Sequence, residues 1–148
     1  MAKAFKFELQ DVLDFRNFEK EEAQNELAKA LAVETQINDN LQIIASQFIS
    51  VKNQIDASSS FEDIAAGNAR KKFLEMQKEE LLQQLAQAKL VSEQKRAVLA
   101  EAMKKTTALE KLKEKEEAVY KAEVDKEEND FIDDLANSNK RLSGQARQ

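Results

Sequence analysis

Asp125-Lys126-Glu127-Glu128-Asn129-Asp130 is dense enough in oxygen ligands to suggest a calcium loop. Such a loop needs glycine at its sixth position, where Asp130 stands, and a bidentate acid at its twelfth, where Ala136 stands. The pattern therefore fails at the two positions that shape the cage. The chain has no histidine, so there is no imidazole base and no His ligand for a metal. It has no cysteine, so neither thiol chemistry nor a disulfide framework is available. No glycine-rich loop is present to cradle a phosphate. Carboxylates abound, but a general acid needs a pocket that raises one pKa. On an elongated helical chain they meet water. The expectation is a protein that is not an enzyme, with no catalytic residues, cofactor or metal.

The elements behind these side chains are helices. The 148 residues include no proline and two glycines, Gly67 and Gly144. Ala, Glu, Lys, Leu and Gln dominate, a composition of long helices and coiled coils. So little turn chemistry excludes a sheet or a many-helix globule. The longest apolar runs, such as Ala30-Leu31-Ala32-Val33, fall far short of the roughly 20 residues of a membrane span. The first residues lack the apolar region of a signal peptide, which makes the cytoplasm the default location.

Charge is arranged in blocks. Residues 1–60 carry six Lys/Arg against ten Asp/Glu, residues 70–121 carry thirteen against nine, and residues 122–136 carry one against seven. None of these is a basic platform, so nucleic acid is not an expected partner. Most of the charge reads as the solvated face of helices.

Apolar residues recur in steps of four and three through Leu9, Leu13, Ala23, Leu27, Ala30, Ile37, Leu41, Ile44, Phe48, Val51 and Ile55. Arg16, Lys20 and Glu34 are the exceptions in that register. A repeat this long specifies a left-handed coiled-coil seam, and its polar exceptions weaken the seam locally while fixing its alignment. Then comes Asp56-Ala57-Ser58-Ser59-Ser60-Phe61-Glu62-Asp63. Ser59 with Glu62, or Ser60 with Asp63, has the spacing of a helix N-terminus. Gly67-Asn68 is a candidate kink. A second seam follows through Leu74, Leu81, Leu85, Ala88, Leu99, Ala102 and Leu109, with gaps at Lys78, Ser92, Lys95 and Thr106. Two three-residue steps in succession between Ala102 and Leu112 would make a stammer.

These readings predict an all-α, single elongated coiled-coil domain over residues 1–148. Helix one spans about residues 4–56 and the turn lies within 56–68. Helix two runs from about 61 or 69 to 136, and 137–148 form a flexible tail. A short connection makes the helices antiparallel neighbours. The arms are unequal. A turn near Ser59 exhausts the first helix near Glu114, and a wider loop exhausts it near Lys121. Some fifteen to twenty helical residues then overhang, roughly 25–30 Å.

The overhang carries a narrow stripe. Tyr120, Val124, Phe131 and Leu135 fall within about 60° on a helical wheel. They are read as anchors for a partner helix. The blander reading is that the N-terminal residues fold back onto the stripe, or that a second copy covers it through weak self-association. Phe7, Phe15 and Phe18, with Ala4, lie away from the Leu9/Leu13 seam and read as a second contact patch. An extended N-terminus up to about Leu9 would remove Phe7 from it.

Several of these stretches also resemble a known family. Phe5-Lys-Phe7-Glu-Leu9-Gln-Asp-Val12-Leu13-Asp-Phe15-Arg16 looks like the opening of FliJ-family proteins. Glu101-Ala102-Met103-Lys104-Lys105, Leu109-Glu110-Lys111-Leu112-Lys113-Glu114-Lys115, Tyr120, Glu127-Glu128 and Asp133-Asp134 resemble that family's C-terminal signature. The family comprises small coiled-coil proteins of the flagellar type III export apparatus. The resemblance implies a stalk-like protein that binds the export ATPase ring and promotes its assembly. It also implies links to the cytoplasmic domain of the export gate and to export chaperones, with membrane contact through those partners only. Known members are more basic than this chain, whose residues 122–136 are strongly acidic. The alternative is a generic structural or chaperone-like coiled coil whose exposed end binds other helices. A gene neighbourhood containing a flagellar ATPase separates the two.

Overall fold

The computed structural model describes residues 4–146, with side chains described through Gly144. The fold is all-α: two long helices packed against each other as an antiparallel hairpin, the second overhanging the first. Helix α1 is Gln10–Ala57 and helix α2 is Phe61–Ala146, of 48 and 86 residues. Contacts divide the chain into two units, Glu19–Met103 and a second made of Met1–Phe18 with Lys104–Gln148. In a helix pair, residues touch what lies beside them, so neighbourhoods are local even where the helices run on.

The Glu19–Met103 unit contains the turn. Ser58–Ser60 is the whole connection between the helices. The Ser58 N–H donates to the Ile55 carbonyl at 3.2 Å and closes α1. Ser60 opens α2: the Ile64 N–H donates to its carbonyl at 3.1 Å, and the Asp63 N–H lies 3.5 Å from its hydroxyl oxygen. Of the two serine–acid pairs in the sequence, Ser60 and Asp63 therefore form the cap. Glu62 and Asp63 place negative charge at the positive end of the helix dipole.

Gly67 does not kink α2, which runs through it unbroken. A Cβ there would overlap Ile55 Cγ1 and stand 2.9 Å from Ile55 Cδ1. The glycine lets α2 pass close to the last turn of α1.

Packing in this unit follows the seven-residue repeat. Ala23, Ala30, Ile37, Ile44 and Val51 are buried at successive heptad positions of α1. Leu27, Leu41, Phe48 and Ile55 fill the alternate row and are partly buried. On α2, Leu74, Ala88 and Ala102 are buried, and Leu81, Leu85 and Leu99 are partly buried. Ile44, Val51 and Leu74 form the buried cluster, with Phe48, Ile55 and Leu81 packed on it. The large side chains thus concentrate beside the turn, and alanines take over farther along. Lys71 adds a cation–π contact, its Nζ 5.3 Å from the centre of the Phe48 ring.

The polar gaps are filled rather than empty. Ser92 is only 2% exposed; its hydroxyl donates to Glu34 Oε1 at 2.8 Å, with the Ala88 carbonyl 3.1 Å away. One polar exception of the first seam thus meets one of the second. A one-layer slip would bury both without partners, which costs more than the bond contributes. Lys95 reaches Glu26 at 3.7 Å, a partly exposed pair of little energetic weight.

Candidate partner-binding site

The site lies in the second unit, where the start of α1 meets the second half of α2. Helix α1 begins at Gln10, not near residue 4. Its first helical bond runs from the Leu13 N–H to the Leu9 carbonyl at 2.9 Å. Leu9 has no side-chain oxygen with which to cap a helix. Residues 4–7 carry no regular structure, and a turn closed by the Gln10 N–H on the Phe7 carbonyl at 3.1 Å leads into the helix.

Three contacts set the alignment here. Thr106, 1% exposed, donates from its hydroxyl to the Arg16 carbonyl at 3.2 Å. Lys113 Nζ donates to Gln10 Oε1 at 2.8 Å. The Phe5 ring lies 5.5 Å from the Tyr120 ring, tilted by 48°. Polar and aromatic groups hold this end together, with Leu13 and Phe7 as its buried apolar residues.

The stammer expected between Ala102 and Leu112 does not occur. Burial continues at Thr106, with Leu109 and Lys113 partly buried, while Leu112 is exposed. A threonine hydroxyl with a partner can sit in a seam as readily as an apolar residue. A purely apolar template skips it and invents a shifted step.

The predicted stripe is divided by the structure. Tyr120 and Val124 are partly buried, Tyr120 beneath Phe5. Phe131 is 64% exposed and Leu135 50%. The N-terminal segment therefore reaches back far enough to cover the first two members and leaves the last two uncovered. Phe7 is buried, so it does not join Phe15 and Phe18, which are both exposed. The helical-wheel grouping of Phe7 fails because residue 7 precedes the helix. Val12 is exposed on the same first turns as Phe15.

The tail expected over 137–148 is helical through Ala146. Asn137-Ser138-Asn139 carry no cap that ends α2, and Gly144 lies within it. Consequently every described side chain from 125 to 144 is exposed, about 30 Å of helix. Sequence reasoning missed Ile132 and Leu142, both exposed on this stretch. Leu142 was hidden by the early helix end, although its spacing from Leu135 is one heptad. Phe5, the partner of Tyr120, was also missed as a contact.

Nothing in the described residues suggests chemistry. No group of three or more His, Cys, Asp or Glu could hold a metal ion there. No helix among them is long and apolar enough to cross a membrane. An open groove of about 430 Å³ in the Glu19–Met103 unit is lined by Leu41, Ile44, Phe48, Leu74 and Leu82, with Glu75 and Lys78 as its charged members. It offers no acid–base pair of like groups.

The family model described as flagellar FliJ protein matches residues 5–145, nearly the whole chain. The chain belongs to the FliJ family. No curated protein and no solved structure matched in the other two comparisons. Membership assigns this FliJ-family chain a role connected with flagellar export, in a family known as non-catalytic. The stretches that resembled the family in sequence meet in one place. Phe5 and Arg16 belong to the opening motif, and they contact Tyr120 and Thr106 in the second unit.

Proposed function

We propose that this protein is a stalk-like, non-catalytic component of the flagellar type III export apparatus. It binds the export ATPase ring, promotes its assembly and activity, and connects it to the cytoplasmic domain of the export gate and to export chaperones. The observation that carries this reading is the free end of α2, with Phe131 and Leu135 exposed on a continuous helix. An exposed apolar stripe on a charged helix is the form in which helices dock into grooves. Phe15 and Phe18 supply a second exposed patch in the same unit. The partner-facing set on this reading is Phe15, Phe18, Val124, Phe131 and Leu135, while Phe7 and Tyr120 serve to hold the N-terminal segment.

The test is ATP hydrolysis by the cognate export ATPase with and without this protein. Stimulation is expected, together with a shift of the ATPase toward its ring form. Phe131→Ser with Leu135→Ser should abolish the stimulation, because loss of central anchors removes most of the binding energy. The acidic run at 125–134 should make the interaction salt-sensitive. An ATPase whose activity is unchanged by the wild-type chain would sink the reading.

A further inference from the structure

The exposed end of α2 has a repeat of its own. Val124, Glu128, Phe131, Leu135, Ser138 and Leu142 follow one another in steps of four and three and fall on one face. This sequence of positions is nearly palindromic about residue 133. Read against itself in the opposite direction, Val124 meets Leu142, Phe131 meets Leu135, and Glu128 meets Ser138.

We infer that residues 124–142 pair antiparallel with the same segment of a second copy of this chain. Antiparallel coiled coils stack each inner position of one row on the other row of the partner, and this segment satisfies that rule at all six positions. The flanking positions agree. Ile132, exposed in the single chain, lies against its own symmetry mate across the dyad. Glu127 lies beside Arg141 of the other copy, twice per pair.

Charge selects the direction. Residues 125–134 hold six acids and one lysine, whereas 135–144 hold Lys140 and Arg141 and no acid. Antiparallel pairing sets the acidic half of one copy on the basic half of the other. Parallel pairing would set acid on acid and bury Glu128 against itself. Asp134 still faces its own mate near the dyad, and a helix segment this short is marginal by itself. The association is therefore weak and concentration-dependent. It covers the stripe that the proposed ATPase contact uses, yet it does not depend on that reading, since the protein alone suffices to test it.

The chain has no cysteine, so a single introduced thiol reports the pairing in the intact protein. Ile132→Cys and Leu142→Cys are each treated with a short bismaleimide across a dilution series. In the antiparallel pair residue 132 faces itself, while the two copies of residue 142 are separated by roughly 27 Å along the helices. Ile132→Cys should form at least about tenfold more covalent dimer than Leu142→Cys, as held partners react at high effective concentration. Adding Phe131→Ser should remove that excess. Arg141→Glu should remove it as well, and Glu127→Arg introduced together with Arg141→Glu should restore it. Equal, high yields from both thiols overturn the antiparallel register. Equal, diffusional yields overturn self-pairing and leave the stripe to an unlike partner.

Discussion

Ile44 and Phe131 are both large apolar residues on seven-residue repeats of long helices, yet Ile44 is 8% exposed and Phe131 is 64% exposed. The difference lies in what stands opposite. Ile44 has Leu74 and Leu81 of α2 in its cluster. Phe131 stands where α1 and the N-terminal segment have already ended. Periodicity names the face a helix will bury and is silent on the identity of the cover. Within one chain the same pattern therefore encodes a core in the Glu19–Met103 unit and a docking stripe at the end of α2.

The comparison is broken most directly by placing the same charge in both regions. Ile44→Asp should destabilise the protein by about 3–5 kcal/mol, since it buries an unpaired carboxylate in the cluster. Leu135→Asp should leave the melting temperature within a degree or so, because surface changes are nearly neutral. Thermal unfolding followed by circular dichroism reads both. Similar losses at the two sites would mean that Leu135 is covered in the folded chain.

Next in size is the polar layer. Ser92→Ala should cost about 1 kcal/mol, the ordinary loss for a buried hydrogen bond. In a double-mutant cycle with Glu34→Ala, coupling of about 0.5–1.5 kcal/mol is expected. Zero coupling would remove Glu34 and Ser92 as the pair that aligns the helices.

The two glycines give a sharper contrast still. Alanine is favoured over glycine inside a helix by about 1 kcal/mol. Gly144→Ala should therefore raise helicity slightly, as nothing lies within 4 Å of a Cβ placed there. Gly67→Ala should lower the melting temperature despite the same intrinsic gain, because its Cβ would collide with Ile55. Stabilisation at Gly67 would show that Ile55 shifts aside without cost.

The smallest expected effect is the most diagnostic for function. Phe131→Ser with Leu135→Ser should change stability by less than about 0.5 kcal/mol while removing association at the end of α2. A marked fall in melting temperature, with association intact, would make the stripe internal.

Much of this molecule was determined by its sequence alone. The absence of proline and the unbroken repeat from Leu13 to Ile55 require long paired helices, and Ser60 with Asp63 marks where the second begins. Those signals are local: caps, turns and periodicity act within a few residues, so they can be read without the partner. Other features depended on tertiary contact. Ser92 and Thr106 looked like gaps because a serine or threonine is tolerable in a seam only when its hydroxyl finds an acceptor, here Glu34 and the Arg16 carbonyl. Gly67 looked like a kink, and only the approach of Ile55 shows it as a contact. Phe7 and Tyr120 changed roles because six residues before α1 run on alongside α2 instead of continuing the helix. Which apolar residues become core and which remain free is decided by where the opposing chain runs out, a distance in space that no spacing along one helix contains.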